Sequence, residues 1–389
     1  MAHSVRSSLA FLSAERLVMN TAYRFVYPFL PVIARGLGVP FEQAALLVSV
    51  RHFSGLATPA VSKLAGVGER QRRLIVTGIM LFIVGSAVTA LTSVYVGALI
   101  GFALLGLAKP VFDVSSQSYV AARVPYERRA RYLATFEFTW AGALLIGAPA
   151  TGWLIASTDW RVPFIVFGVL SLAALAVTGR FIDADGPRVD QNGDHDRFTS
   201  SGRNFLLVAG LFALGSEMII VVFGAWLENS FGLTVVALGG AAFLIGASEL
   251  AGEGATFAFT DRIGKLRAVL AGLVVSGVGY ALLVPASAHL GVGLAVLAIA
   301  LFGFEFTIVS SIPLASELMP GSRTRYLAWM VVSMSLARGI GAAVAPILFD
   351  SFGIPGPALA ALASVVVAAV VLVTGVSEET REIATSTSP

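Results

Sequence analysis

Ionisable side chains recur inside long apolar stretches of this sequence, where hydrocarbon does not tolerate isolated charges. Acids that could exchange protons are Asp113, Glu137, Glu217, Glu249 and Glu305. Bases that could bind an anionic part of a substrate are Arg24, Arg51, Lys109 and Arg338. Trp140 is the aromatic residue whose position best suits the wall of a substrate cavity. An ionised side chain in the middle of a bilayer costs about 2.5–3.5 kcal/mol on insertion scales. We therefore expect these residues to be paired or to face a wet cavity.

The two halves of the sequence differ in the balance of these charges. Acids and bases mix in the first half. Four acids dominate the second half, namely Glu217, Glu249, Glu253 and Glu305, with Arg338 as a counter-ion. Crowded or desolvated carboxylates bind protons more tightly than isolated ones. The acids of the second half therefore indicate proton-exchange chemistry.

Structural roles compete with this interpretation at several acids. Lys109 and Asp113 are four residues apart on one helix face, so they could form an ion pair within that helix. Glu137 could pair with a base in a neighbouring helix and hold the first half rigid. Glu249 and Glu253 are also four residues apart and could be structural.

Two further residues have open alternatives. His52 could shuttle protons, because histidine titrates near neutral pH, or it could be a hydrogen-bonded packing residue beside Arg51. Arg24 has Tyr23 and Tyr27 as neighbours in the sequence. An arginine at that depth is either paired with an acid or directed at a substrate or a gate.

The composition indicates that lipid surrounds most of the chain. The protein has 389 residues, of which 57% are hydrophobic and 13% charged, and its mean hydropathy is +0.85. Soluble domains carry about 25% charged residues. A membrane helix needs roughly 20 apolar residues. We therefore predict an all-α integral membrane protein with twelve transmembrane helices, at 9–34, 42–65, 74–92, 95–121, 131–156, 162–180, 204–226, 236–259, 267–286, 291–315, 326–349 and 356–376.

A repeat divides the sequence into two similar halves. The tetrapeptide Arg-Tyr-Leu-Ala begins at Arg131 and again at Arg325, an offset of 194 residues, and Gly38 corresponds to Gly232 at the same offset. Parallel repeats of this kind are typical of transporters. We predict two pseudo-symmetric six-helix bundles with a polar cytoplasmic linker between them. The first bundle covers residues 1–180, the linker 181–203 and the second bundle 204–389.

Basic residues in alternate loops predict the orientation in the cell (inner) membrane. One set of loops contains Arg70–Arg73, Arg123–Arg131, Arg262–Arg267 and Arg323–Arg325. The opposite set contains little more than Arg35 and Arg161. Basic loops stay in the cytoplasm, so both termini are expected there. Residues 1–10 lack the pattern of a removable signal peptide.

Local motifs resemble the major facilitator superfamily, whose loop between its second and third spans reads G-x-x-x-D-R-x-G-R-R. The corresponding second-half residues that match are Asp261, Arg262, Gly264, Lys265 and Arg267. Span 5 has a Gly/Pro-rich pattern similar to that of the family's antiporters, at Gly142, Gly147, Pro149 and Gly152. The stretch from Gln117 to Trp140 is similar to drug:proton antiporters and arabinose-efflux-like permeases. Phe102 departs from the pattern, because those antiporters often carry a proton-coupling arginine there.

The resemblance implies the major facilitator fold and places Asp113, Glu217 and Glu305 in spans that line a central cavity. We expect these three acids to carry coupling protons. The motif at Asp261 is expected to latch helix ends through Arg262 or Lys265, and the glycines of span 5 to form a packing and gating surface.

Three functional hypotheses follow. The first is proton-coupled efflux of small amphipathic molecules by alternating access. The second is a carrier for an anionic, zwitterionic or lipid-like solute bound by the buried bases. The third is a transporter-shaped sensor that moves nothing. The sequence lacks a phosphate-binding loop and other enzyme signatures, so we expect no enzyme activity, cofactor, metal or nucleic-acid partner. We expect a monomer whose partners are a small-molecule substrate, protons and lipid.

Overall fold

The computed structural model of the protein describes residues 5–65, 70–183 and 197–377, without the side chains of residues 126, 127, 129–131 and 133–135. Over these ranges the chain is helical and contains no strand. Eleven segments are long and apolar enough to cross a membrane: Phe41–Ala65, Arg70–Leu91, Tyr95–Arg123, Phe136–Ser157, Val162–Arg180, Ser200–Phe231, Val235–Ile263, Lys265–Ala286, Leu290–Leu318, Pro320–Phe352 and Pro355–Gly375. They correspond to predicted spans 2 to 12 and keep those numbers below.

Span 1 is divided into two helices, Val5–Arg24 and Val26–Leu37, which meet at Phe25. The predicted span at 9–34 is present, and the structure adds a break that the sequence analysis did not predict. Pro28 supplies the physical reason. Proline has no backbone N–H, and its ring collides with the carbonyl of the residue four positions earlier, which here is Arg24. The break therefore places Arg24 at the end of a helix in the middle of the bundle.

Span 7 is divided in a similar way, into Ser200–Ile220 and Phe223–Phe231. Both divided spans end on a glycine in the left-handed conformation. Gly38 has φ 64° and ψ 33°, and Gly232 has φ 64° and ψ 30°. Glycine adopts these angles readily because it has no Cβ. The repeat seen in the sequence is thus also a repeat of local backbone structure.

Three pairs of spans make most of the contact between the two halves, and the second helix of span 1 also contacts span 8. Span 2 packs on span 11, span 5 packs on span 8, and the second helix of span 1 packs on the second helix of span 7. The contact between spans 1 and 7 lies at the end of the bundle that contains Gly38 and Gly232, called here the Gly38 end. The opposite end contains the loop around Asp261 and is called the Asp261 end. The predicted linker stays a prediction, because its residues 184–196 lie outside the described chain.

Candidate functional site

Arg24 and Glu249 form an ion pair that joins the two halves. Arg24 lies at the break in span 1, and Glu249 lies within span 8. Nη2 of Arg24 donates a hydrogen bond of 2.7 Å to Oε1 of Glu249, and Nη1 lies 2.6 Å from Oε2. Their side chains are only 4% and 2% exposed. The sequence left open whether Arg24 is paired with an acid or directed at a substrate or a gate. The structure shows it paired with an acid.

Trp140 of span 5 also contacts Arg24, in two ways. Its backbone carbonyl accepts a hydrogen bond of 3.1 Å from Nη1 of Arg24. Its ring centroid lies 4.4 Å from the guanidinium carbon, which is a cation–π contact. Trp140 was predicted to line a cavity, and its observed role here is to contact the paired arginine.

His52 connects two tyrosines of span 1 to a carboxylate of span 7. Its Nδ1 lies 3.0 Å from the hydroxyl of Tyr23. Its Nε2 lies 2.9 Å from the hydroxyl of Tyr27 and 3.1 Å from Oε1 of Glu217. The other oxygen of Glu217 accepts a hydrogen bond of 3.4 Å from Tyr27 and lies 4.0 Å from Nη1 of Arg338. These five side chains are called the His52 cluster.

The His52 cluster crosses between the halves, because spans 1 and 2 supply its first three members and spans 7 and 11 supply Glu217 and Arg338. The Glu217 side chain is completely buried. The hydrogen bonds described for its carboxylate come from His52 and Tyr27, and adding a proton to it changes which of these two groups can donate. The structure places His52 as a hydrogen-bonded residue, and this same position is one from which it can pass a proton.

Asp113 lies in a second cluster, within the first half of the chain. Nε of Arg16 is 3.1 Å from Oδ1 of Asp113, and Lys109 forms an ion pair with the other carboxylate oxygen. Nη1 of Arg16 also lies 3.6 Å from Oε1 of Glu137. Two bases thus balance two acids. The structural alternatives for Lys109, Asp113 and Glu137 agree with this geometry.

Sequence reasoning missed Arg16 and its neighbour Glu15. Both residues are buried, with relative exposures of 6% and 2%. Oε1 of Glu15 accepts a hydrogen bond of 2.6 Å from Ser171 of span 6. Two adjacent charges near the start of a span resemble a helix end at the membrane surface, which is why neither was selected. The available signal was their position inside predicted span 1.

Glu305 of span 10 and Glu253 of span 8 form no ion pair with any side chain that the structure describes. Both are buried, with relative exposures of 7% and 4%. The predicted set of proton-exchanging acids therefore separates into two groups. Asp113, Glu137, Glu217 and Glu249 face a base, whereas Glu305 does not.

A cavity of about 320 Å³ lies between span 11 and spans 1, 2, 4 and 5. It borders both clusters, because His52, Asp113 and Lys109 contribute to its wall. Arg51 also borders it, with a relative exposure of 1%. Its guanidinium carbon lies 3.6 Å from the ring centroid of Tyr23. The cavity extends from these charged groups toward the Asp261 end.

At the Gly38 end spans 1 and 7 are in contact, beside a cavity of about 640 Å³ whose wall includes Ala34 and Arg35. Arg35 binds Glu228 through two hydrogen bonds of 2.9 and 2.8 Å. Gly224 approaches Pro28 so closely that an added Cβ would lie 2.5 Å from the Pro28 carbonyl oxygen. The contact between spans 1 and 7 at this end therefore consists of an exposed ion pair and a close backbone approach.

The glycines of span 5 face spans 1 and 8. A Cβ on Gly147 would collide with Thr21, one on Gly152 would lie 2.9 Å from Phe29, and one on Gly142 would lie 3.3 Å from Leu17. Pro149 packs similarly against Gly239 of span 8. A π-helical turn over Ala143–Gly147 precedes Pro149, as expected near a residue that lacks an N–H. The close packing is observed, and the gating role stays a prediction.

The loop motif at the Asp261 end differs from the expected latch. Lys265 pairs with Glu317 at the end of span 10, so its ionic partner is not Asp261. Asp261, Arg262 and Arg267 are exposed. None of the three forms an ion pair with a side chain in the described part of the chain. Gly264, with φ 89°, provides the turn between spans 8 and 9.

Membrane-spanning helices in two similar halves, with buried ionisable groups and a cavity between them, define a solute transporter. The chain belongs to the Major Facilitator Superfamily, whose family profile matches residues 16–252 and 205–388. Proteins of this family are secondary transporters and not enzymes.

Curated relatives match part of the chain. The uncharacterized MFS-type transporter YwfA of Bacillus subtilis (strain 168) is 27% identical over 144 residues, which are 36% of this chain and 34% of YwfA. The inner membrane transport protein YdhP of Escherichia coli (strain K12) is 29% identical over 150 residues, which are 38% of each chain. The matched stretches thus span about a third of the length of these relatives.

Solved structures share the fold over nearly the whole chain. A bacterial homologue of the human lysosomal transporter Spinster, inward-facing and occupied, gives a TM-score of 0.73 at 15% identity, covering 96% of this chain and 97% of that one. The human organic anion transporter MFSD10 gives 0.69 at 16% identity, covering 95% and 100%. These similarities identify the major facilitator fold.

Proposed function

We propose that this protein is a proton-coupled secondary transporter that exports small amphipathic molecules by alternating access. The observation that carries the proposal is the position of Glu217, which is completely buried and held by His52 and Tyr27 of the other half. Transport by alternating access requires the halves to move against each other around a fixed site. A proton on Glu217 removes its negative charge and weakens its attraction to both His52 and Arg338.

The Arg24–Glu249 pair responds to protons in the same way. A neutral Glu249 keeps a hydrogen bond at most and loses the ionic part of a buried contact. Each of the two inter-half contacts thus has a strong, deprotonated form and a weak, protonated form. Coupling follows because the halves separate more easily when protons are bound. Glu305 has no basic partner in the described part of the chain, and we assign it as a further proton-binding site.

The proposed direction, export, is assigned using the orientation predicted by the basic loops. In that orientation the Asp261 end and both termini face the cytoplasm, and the Gly38 end faces outward. The 320 Å³ cavity then receives solute from the cytoplasm while Arg35 and Glu228 close the outer side. Membership of a family that includes an inner membrane protein supports placement in the cell (inner) membrane.

The test uses purified protein in right-side-out vesicles that contain the proton indicator pyranine. Ethidium, an amphipathic cation, and 1-anilinonaphthalene-8-sulfonate, an amphipathic anion, are loaded separately. An acid-outside pH gradient is expected to accelerate the exit of at least one probe and to increase proton entry with it. Exit of both probes at a rate independent of the gradient would contradict proton coupling.

A carrier for an anionic, zwitterionic or lipid-like solute is the second candidate. It was predicted to bind its substrate through Arg24, Arg51, Lys109 or Arg338. Arg24 and Lys109 contact carboxylates directly, so their charges are already balanced. Arg51 is not paired in this way, and that observation keeps the second candidate open.

A further inference from the structure

Among the spans that the structure describes, Arg16, Arg24 and Arg51 are buried and Lys109 and Arg338 are partly buried, and Arg51 differs from the other four. Arg16, Arg24, Lys109 and Arg338 each have a carboxylate oxygen of a described side chain at 4.0 Å or less. Arg51 has none within this distance, although it is 1% exposed. Removing the partner of a buried charge typically costs about 3–5 kcal/mol. An arginine left in this condition therefore requires a functional explanation.

The free atoms of Arg51 lie on one edge of its guanidinium group. Nη1 donates a hydrogen bond to the backbone carbonyl of Tyr23. Nε and Nη2 are buried and have no hydrogen-bond partner in the described structure. Nε–H and Nη2–H point in parallel from the same edge, and their spacing matches the two oxygens of a carboxylate. Lysine offers no such planar fork.

The surroundings of Arg51 restrain its guanidinium group, and the residue borders a cavity. The guanidinium group stacks on the Tyr23 ring at 3.6 Å, which restrains its plane. Arg51 borders the 320 Å³ cavity, whose wall also includes the apolar residues Val114 and Val331. This volume lies at the lower end of the range for small-molecule sites, about 300–1,000 Å³. Most residues of the wall are polar, and its acids Asp113 and Glu137 face Arg16 and Lys109. Arg51 therefore leaves one unbalanced positive charge beside two apolar valines.

We propose that the Nε–Nη2 edge of Arg51 binds the carboxylate of a small amphipathic organic anion in this cavity. The inference rests on the proposed function, because it names the class of molecule that the transporter carries. It also selects one base from the four candidates. Arg24 and Lys109 neutralise acids of the protein, and Arg338 faces Glu217, so none of them is the first ligand of the substrate anion.

The test compares ligands of one shape and different charge on the full-length protein in detergent. The probes are 2-naphthoate, neutral 2-naphthamide and cationic 2-naphthylmethylammonium, and calorimetry measures their affinities. Wild type is expected to bind 2-naphthoate at least tenfold more tightly than the other two. Arg51→Gln is expected to weaken 2-naphthoate binding about 10- to 100-fold, because a hydrogen bond to a charged group contributes about 1.5–3 kcal/mol. It is expected to weaken 2-naphthamide binding much less, because the neutral amide has no ionic attraction to Arg51.

Two more variants test whether the paired N–H donors of Arg51, and not only its charge, bind the anion. Arg51→Lys keeps the charge but loses the paired donors, so an intermediate loss of 2-naphthoate affinity is expected, and this variant decides the question if Arg51→Gln fails to fold. Arg203→Gln is the matched control, because Arg203 is exposed at the start of span 7. Equal binding of the three probes to wild type, or wild-type affinity for 2-naphthoate in both Arg51 variants, overturns the inference.

Binding in detergent needs no pH gradient, so the two proposals fail separately. Arg51-dependent binding of 2-naphthoate without gradient-dependent transport in vesicles supports the anion site and overturns proton coupling. If transport depends on the gradient but the Arg51 variants bind 2-naphthoate as tightly as wild type, proton coupling is supported and the anion site is overturned.

Discussion

Arg24 and Glu249 meet through two nitrogen–oxygen contacts of 2.6 and 2.7 Å at a position where the first and second halves of the bundle face each other. Arg24 reaches this position because Pro28 interrupts its span. The pair is buried, so neither charge can be compensated by water when the other is removed. It therefore holds the two halves together in this conformation.

We predict that Arg24→Gln and Glu249→Gln are each strongly destabilising, and that the double variant recovers part of the loss. Each single change leaves a buried charge without its partner, at a cost of about 3–5 kcal/mol. The double variant leaves two neutral groups, so the effects are not additive. Thermal unfolding of the purified proteins measures this. Additive losses would show that the two residues do not interact energetically.

A second prediction concerns the close approach of spans 1 and 7. Gly224→Ala places a methyl group 2.5 Å from the Pro28 carbonyl oxygen, so we expect the Gly38 end to open. The natural sequence has no cysteine, and an Ala34→Cys reporter in the cavity wall of that end is therefore the only thiol. Its rate of reaction with a membrane-impermeant maleimide is expected to rise in the Gly224→Ala variant.

Gly240→Ala is the matched control for that experiment. A Cβ at Gly240 meets no atom within 4 Å, and alanine is the better helix former by about 1 kcal/mol. We expect an unchanged labelling rate and equal or higher stability. The same labelling rate in both alanine variants would contradict a closing role for the contact between Gly224 and Pro28.

The predicted orientation has a direct test. Ser93 lies in the connection after span 3 and Ser200 lies at the start of span 7, and both are exposed. With the basic loops in the cytoplasm, a membrane-impermeant maleimide added to intact cells should label Ser93→Cys and leave Ser200→Cys unlabelled. Permeabilised cells should show labelling of both. Labelling of Ser200→Cys alone in intact cells would reverse the direction proposed for transport.

Much of the fold could be predicted from the sequence, because length and apolarity identify a membrane helix without knowledge of its neighbours. The repeat between Gly38 and Gly232 could also be predicted, because the conformation of each glycine depends on local backbone preference. The division of span 1 could also have been found, because Pro28 disfavours a continuous helix. Span 7 has a corresponding division between Ile220 and Phe223, and no proline marks it.

The pairing of the buried charges could not be predicted. Arg24 and Glu249 are 225 residues apart, and a single sequence has no signal for which acid a base will meet. Residue types identified Glu217 and His52 as candidates, and packing decided that they share a hydrogen bond. Arg16 was missed because charge near a helix end has two interpretations, and only the positions of spans 4 and 5 show that it is buried.

Proton movement through the Glu217→Gln variant tests the central claim most directly. Glutamine keeps the size of the side chain but cannot take up or release a proton. In vesicles containing pyranine, ethidium and 1-anilinonaphthalene-8-sulfonate are each followed with and without an acid-outside gradient, and Glu42→Gln, at the start of span 2, is the control. We predict that Glu217→Gln still exchanges the transported probe at equal pH but loses gradient-driven export and the accompanying proton entry. Gradient-driven export at the control rate in Glu217→Gln would contradict the account.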